Sequence, residues 1–266
     1  MISERFEHSR RYWDLIAETY DQIFPETLIG QTQRCAVWRK LEEVFRPGER
    51  ILEMNCGTGI DAIYLAERGV RVLACDLSPR MIELASQRSV TAHTSGLTEF
   101  RVLPTEEISE LAVDGPFDGA FSNFSGLNCV EDLVSVARSL GQLLRPKASA
   151  LICMAGCIAP WEIAWHLCHG QPKKAMRRIL PDTEDPGINV RFPGVRAIVR
   201  AFAPAFQLRR WNGIGIAVPP SCMEPLARRF PGLLKLLACA DTYLAPCPLT
   251  RVFADCVLLQ FERLSI

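Results

Sequence analysis

The sequence predicts an α/β domain built on a mostly parallel sheet, with a helical N-terminal cap and a long insertion after the fifth strand. Three observations predict it. Short apolar runs alternate with helical stretches between residues 50 and 154. A glycine-containing loop, Gly57-Thr58-Gly59, joins the first of those runs to the helix behind it. Two further apolar runs near the C-terminus stand where closing strands can pair antiparallel at the sheet edge.

The elements follow in order. Residues 50–54 read as a strand that ends in the glycine loop. Residues 60–68 read as a helix, because Ile60, Ile63, Tyr64 and Leu65 recur at helical spacing and Gly69 stops it. Residues 70–75 form a second strand. Ser78 and Pro79 mark the next helix start, with Ser as N-cap and Pro at the first helical position, and residues 81–87 continue it. Residues 100–103 and 117–121 are the third and fourth strands. A helix runs through 130–144, and 148–154 is the fifth strand. Strands separated by helices in this way lie parallel, with helices on both faces. Residues 1–46 precede the sheet as helices, with Tyr12, Leu15, Ile16 and Thr19 on one face. Residues 206–218 and 252–262 are the closing strands, joined by a helix around 226–237. The expected organisation is a single domain: cap 1–46, ligand-binding core 47–155, lid 156–200 and closing strands 201–266.

Composition narrows the function. The chain has 266 residues, 48% hydrophobic and 23% charged, enough to bury a sizeable core and too apolar for disorder. Lys plus Arg and Asp plus Glu are both 30, and this zero balance argues against a general nucleic-acid or anionic-membrane binder. The first 20 residues mix both charges and carry no signal-peptide core. The longest apolar run, residues 148–161, is too short to span a bilayer and contains Gly156 and Pro160. The 11 cysteines are odd in number and form no C-x-x-C, so a reduced, cytoplasmic protein is expected rather than a disulfide framework.

The glycine loop carries the chemistry. Glycines there allow positive φ and close approach of a ligand, and the helix behind them offers free N–H groups. Asp76 ends the second strand beside the loop, where it can accept hydrogen bonds from both ribose hydroxyls of a nucleoside. Gly57-x-Gly59-x-x-Ala62 also fits a dinucleotide fingerprint, so an NAD-dependent oxidoreductase is the alternative enzyme. Glu53 weighs against it, because a carboxylate just before the loop repels a pyrophosphate and welcomes a cationic cofactor. A cofactor-binding module without catalysis is the other rival.

Residues 51–59 with Asp76 resemble the first two motifs of the class I S-adenosylmethionine-dependent methyltransferases, which imply a Rossmann-like seven-stranded sheet. Asn55 stands where the first motif glycine is usual, a tolerable exchange because Asn enters the left-handed region more readily than most residues. Residues 117–124 are similar to the fourth motif, and Leu143-Leu144-Arg145-Pro146 to the turn before strand five, with Lys147-Ala148 in place of two glycines. Asn128-Cys129-Val130-Glu131-Asp132-Leu133 resembles the small-molecule and quinone-type members. The resemblance implies S-adenosylmethionine as cofactor and S-adenosylhomocysteine as product. It implies that Glu53, Asn55, Cys56, Gly57, Thr58 and Gly59 shape the methionine end of the pocket. Asp76 would hold the ribose, with Leu77 and Met81 beside the adenine. Pro104 occupies the usual adenine-binding acid position, so Thr105 or Glu106 would substitute, or the contact would come from backbone. Asn123 and Phe124 would lie near the sulfonium, and Tyr20, in a Tyr-Asp pair with Asp21, would close over it as a cation–π partner.

Methyl transfer from a sulfonium is an in-line displacement, so positioning supplies much of the catalysis and no covalent nucleophile is required. The acceptor side falls in the lid, where Trp161, Glu162, Trp165, His166 and His169 cluster. His166 or His169 is the candidate general base. No metal site is expected, because Cys168 points away from the face that the two histidines share and no fourth ligand is evident. Cys153 and Cys157 read as a buried strand and its exit. Lys173, Lys174, Arg177 and Arg178 read as a solvated helix face, and Pro219-Pro220-Ser221 as a plain turn. The expected acceptor is a small organic molecule, aromatic or quinone-like. Nucleic-acid acceptors are not expected, because no appended recognition domain is visible. Integral membrane association is not expected either.

Overall fold

The computed structural model describes residues 2–180 and 188–265. Residues 181–187, the middle of the expected lid's Pro/Gly-rich stretch, lie outside the described residues. The strands are β1 (Arg50–Met54), β2 (Arg71–Asp76), β3 (Thr98–Val102), β4 (Phe117–Ser122), β5 (Leu144–Ala155), β6 (Phe206–Ile214) and β7 (Cys256–Arg263). They form one sheet in the order β3-β2-β1-β4-β5-β7-β6. The first five pair parallel, and β7 runs antiparallel to both β5 and β6. The strand order reverses between β1 and β4, and an open α/β sheet places its ligand crevice at such a point.

Ten helices surround the sheet among the described residues: α1 (Ile2–Ile23), α2 (Leu28–Val44), α3 (Ile60–Ala66), α4 (Pro79–Thr91), α5 (Leu133–Leu143), α6 (Pro160–Cys168), α7 (Pro172–Ala175), α8 (Val195–Phe202), α9 (Glu224–Arg229) and α10 (Pro231–Leu244). Alternate residues of each strand face opposite layers. Leu52, Leu73, Ile152 and Leu259 pack with residues of α5 and α8. Ile51, Val72, Phe121 and Leu151 pack with residues of α2 and α3.

Four details depart from the expected elements. Leu15 is 82% exposed, so the face through Tyr12, Leu15 and Thr19 is not the one that docks α1. The docked face carries Asp14, Ala17, Tyr20 and Asp21, and hydrogen bonds to the loops below outweigh apolar periodicity there. Next, β5 starts at Leu144, inside the turn expected from Leu143 to Pro146, rather than at residue 148. Pairing with β4 shifts from Phe117↔Leu144 to Gly119↔Ser149, and Lys147 takes up the slack at φ 67°, as a glycine would. The helix expected over 226–237 is split at Pro231, which cannot continue α9 and instead opens α10. Finally, α5 begins only at Leu133, where Asp132 accepts the Val134 and Ser135 N–H groups.

The outer layer ends in an aromatic stack. Phe202 and Phe261 lie 4.5 Å apart and nearly parallel, and both are fully buried. Phe202→Ala should cost about 3–5 kcal/mol of stability, measured by urea denaturation, with cofactor affinity unchanged in the folded fraction.

Candidate active site

The C-terminal end of β1 runs directly into the glycine loop. Asn55, Gly57 and Gly59 all have positive φ, at 57°, 53° and 75°. A Cβ at Gly59 would meet Ala85 Cβ at 2.7 Å and Phe100 at 2.9 Å, so glycine lets α3 close onto α4 and β3. The loop is tied to β2 on both sides. Cys56 N–H donates to the Cys75 carbonyl at 3.0 Å, and Gly57 N–H to Asp76 Oδ2 at 2.9 Å. Ser78 N–H donates to Asp76 Oδ1, also at 2.9 Å. Burial raises the Asp76 carboxyl, and the two backbone donors oppose that shift.

Helix α1 forms the roof. Asp21 accepts from Thr58 Oγ1 at 2.7 Å and pairs with Arg88, which also donates to Thr58. Asp14 accepts the Ser78 hydroxyl and the Arg80 N–H, and Glu18 pairs with Arg80. Tyr20 therefore sits over the loop, with its ring 3.6 Å from where a Gly57 Cβ would stand. Burial pushes the Tyr20 phenol up to about 12, so it stays protonated at neutral pH.

Below the roof lies a buried polar knot. Asp61, in the first turn of α3, accepts from Arg34 Nη1 at 2.5 Å, Trp38 Nε1 at 2.6 Å and Asn123 Nδ2 at 2.9 Å. Trp38 is held flat on Tyr64 at 3.7 Å. Arg34 arrives from α2, whose first N–H groups are capped by Thr27 and by Glu224 of α9. Two buried atoms of opposite character lack a partner here: Glu53 Oε2 and Arg34 Nε. Burial, reinforced by Asp61, holds the Glu53 carboxyl well above the usual carboxylate range.

Past β4 the chain makes a strained turn. Phe124 and Ser125, neither of them glycine, both have positive φ, at 43° and 71°. Left-handed geometry at such residues is uncommon and gathers at ligand sites. Asn123 Oδ1 accepts the Phe124 N–H at 3.0 Å. A Cβ at Gly126 would fall 2.3 Å from Asn55 Cβ, so the two loops meet at that glycine. Tyr20, Pro25, Arg34, Asn55–Thr58, Ile60, Asp61, Asn123 and Phe124 line a narrow cleft. The guanidinium of Arg34 lies 4.8 Å from the Phe124 ring centroid.

The cleft thus gathers Tyr20, Asn55, Cys56, Gly57, Thr58, Asn123 and Phe124 of the expected residues, with Glu53 and Gly59 behind them. Asp76 flanks it, with Leu77 half-buried and Met81 fully buried at the start of α4. Thr105 is buried and Glu106 half-buried after β3, where burial raises the Glu106 carboxyl. His166 and His169 do not line the cleft. His166 Nδ1 meets Gln171 Oε1 at 3.0 Å, and His169 Nδ1 lies 2.8 Å from the Trp165 carbonyl oxygen. The expected solvated face at 173–178 is half engaged instead: Arg177 and Arg178 both pair with buried Glu162, and Arg178 also pairs with Asp255. Sequence reasoning passed over Arg34, Trp38, Asp61 and Gly126. Asp61 had one local signal, an acid in the first helical turn after a glycine loop, whereas Arg34 and Trp38 had none, because α2 reaches the site only in three dimensions.

The methyltransferase domain family matches residues 51–147. The tRNA 5-carboxymethoxyuridine methyltransferase of Escherichia coli (strain K12) is 30% identical over 182 residues, covering 65% of this chain and 69% of that one. A demethylmenaquinone methyltransferase of Symbiobacterium thermophilum is 29% identical over 147 residues, covering 53% and 55%. Among solved structures, the geranyl diphosphate C-methyltransferase of Streptomyces coelicolor A3(2), in complex with Mg2+, geranyl diphosphate and S-adenosyl-L-homocysteine, shares the fold. Its TM-score is 0.56 at 14% identity, over 87% of this chain and 79% of that one.

Two tests follow from the knot. Asp61→Ala leaves Arg34 buried without its carboxylate, and stability should fall by about 3–5 kcal/mol in urea denaturation. Glu53 has the opposite sign. Its raised value means that folding stabilises the protonated form, and that contribution is lost as pH rises through the folded value. Glu53→Gln should therefore keep or raise the melting temperature near neutral pH. The same change should weaken calorimetric binding of an ammonium-bearing cofactor about 10- to 100-fold, and wild-type affinity should rise with pH across the Glu53 titration.

Proposed function

Because the chain belongs to the class I S-adenosylmethionine-dependent methyltransferases, we propose that it methylates a small organic acceptor of aromatic or quinone-like character. Family membership sets aside both the nicotinamide reading of the glycine loop and the non-catalytic one. The observation that carries the acceptor reading is the apolar wall of the cleft. Phe124 stands there with Phe24 edge-on at 4.9 Å, beside Pro25 and Tyr20. Such a wall suits a flat apolar ring.

The residues fit S-adenosylmethionine, and the two orphaned buried atoms make the case. Glu53 Oε2 would take the ammonium of its amino-acid end and Arg34 the carboxylate, a zwitterion matched by one acid and one base. Asp76 would take the ribose hydroxyls, and Leu77, Met81, Thr105 and Glu106 would border the adenine. Bound there, the cofactor supplies an electrophilic methyl group on a sulfonium. The backbone of Asn55, Cys56, Gly57, Thr58 and Gly59 would cradle it, and the Tyr20 and Phe124 rings would stabilise the cation. Asp61 orients Arg34 and Asn123 from one carboxylate, which fixes the geometry on which a displacement depends. The α1 roof excludes water. Where the acceptor is a neutral hydroxyl, His166 or His169 on the lid would accept its proton, once α6 brings the imidazole to the cleft. We further propose that the cap, core, lid and closing strands act as one domain around this site.

One observation favours a second acceptor, a nucleoside in RNA: the 30% identity with a methyltransferase that acts on tRNA. A labelled-methyl assay with a catechol and quinol panel beside bulk tRNA separates the two. Label in the small phenols and none in tRNA is the expected outcome, and label in tRNA alone sinks the first reading. Asp76→Ala should abolish transfer to either. His166→Ala and His169→Ala with undiminished turnover would remove the histidines from the mechanism.

A further inference from the structure

We propose that the segment running from α9 to the turn before β7, residues 224–253, seats this enzyme on an anionic lipid surface. The proposal goes beyond the choice of acceptor and stands independently of it. Helix α10 is apolar on both sides although it lies outside the sheet layers. Leu234, Leu237 and Ala238 face inward and pack with Ile29, Val218 and Met223. Leu233, Leu236, Ala240 and Tyr243 form a separate stripe at helical spacing, and Leu233, Leu236 and Tyr243 are 48%, 66% and 78% exposed. Phe230 and Leu226 extend that stripe back through α9, and Leu249 and Phe253 lie exposed after α10. A helix apolar all round is ordinarily buried. A contiguous exposed apolar patch marks a protein, ligand or membrane contact.

Charge chooses the occupant. The acids of this segment face the protein. Glu224 accepts the Leu28 and Ile29 N–H groups, and Asp241 accepts those of Ala217 and Val218. Arg228 pairs with Glu224, while Arg229, which lies over the Phe230 ring, and Lys235 are exposed. The chain as a whole is neutral, yet beside these leucines and aromatic rings the charges of the segment that its own acids do not offset, Arg229 and Lys235, are positive. A second copy brought face to face would oppose like charges. Phospholipid headgroups of negative charge would meet them favourably, while the leucines and rings enter the interface. No helix among the described residues is long and apolar enough to cross a membrane, so the contact is peripheral.

The patch also touches the catalytic half of the molecule. Trp165 of the lid packs into the same cluster as Leu237, and Glu224 caps the helix that delivers Arg34. A surface held by this segment is therefore next to the lid.

Co-sedimentation with vesicles tests the proposal. The full-length protein is spun with phosphatidylcholine vesicles and with vesicles of phosphatidylcholine and phosphatidylglycerol in equal parts. Retention on the anionic vesicles should exceed that on the neutral ones by about tenfold or more at low salt. Leu233→Glu with Leu236→Glu should reduce retention to the neutral level, while calorimetric affinity for S-adenosylhomocysteine stays unchanged and reports an intact fold. If that variant fails to fold, Arg229→Ser with Lys235→Ser gives the second reading and should lose the anionic preference. Wild-type protein with no preference for anionic vesicles overturns the proposal, as does a folded leucine variant that still binds them. Wild-type dimers in analytical ultracentrifugation that the leucine variant converts to monomers, with vesicles ignored, would assign the patch to a second copy and also overturn it.

Discussion

One carboxylate organises the site. Asp61 is buried, and its oxygens are shared among a guanidinium, an indole and an amide from two separate elements, α2 and the turn after β4. Each of those donors needs a partner once it leaves water, because an unpaired buried donor costs about 1–3 kcal/mol and an unpaired charge more. A single acid at the start of α3 meets all three demands. It therefore fixes where α2 lies against the sheet and how the loop after β4 is turned. The direction of Arg34, the group proposed to hold the cofactor carboxylate, follows from that placement rather than from α2 alone.

The roof obeys the same logic. Helix α1 carries its docking in Asp14, Glu18 and Asp21, and Leu15 points away from the protein. An apolar seam would have been indifferent to sliding by a turn. Three carboxylates that meet Thr58, Ser78, Arg80 and Arg88 set the register of the helix, and with it the placement of Tyr20 over Gly57. Polar docking costs more desolvation than a leucine seam and returns it as specificity of position.

The sheet was legible because its signals are local. β1 came out at its exact residues, and Ser78-Pro79 opened α4 as capping chemistry requires. Asn55 in place of a glycine was readable too, since its left-handed φ is one that Asn tolerates. The C-terminal third was less legible in its details. Phe230-Pro231 reads as helix by periodicity, and only the proline's missing N–H divides it. The strand 144–155 hides its bulge because Lys147 and Ala148 stand where the resemblance has glycines, and Lys147 takes the positive φ without the residue that would announce it. Arg34 and Trp38 were hidden for a different reason: nothing within ten residues of either specifies a buried acid, and their partner stands 27 and 23 positions away.

The strap of Asp21 across Thr58 and Arg88 sets a condition on the working cycle. Whatever lies beneath Tyr20 is bounded by the loop below and by this ionic latch above, and the spent cofactor differs from the fresh one by a single methyl group. Asp21 joins α1 to the glycine loop through Thr58 and to α4 through Arg88, so what holds the roof down is a set of polar contacts at the edge of the solvent. A roof held in this way parts by breaking a few polar contacts, without exposing a large apolar seam to water. Evolution can retune such pairs residue by residue without disturbing the bond-making geometry a few ångströms away.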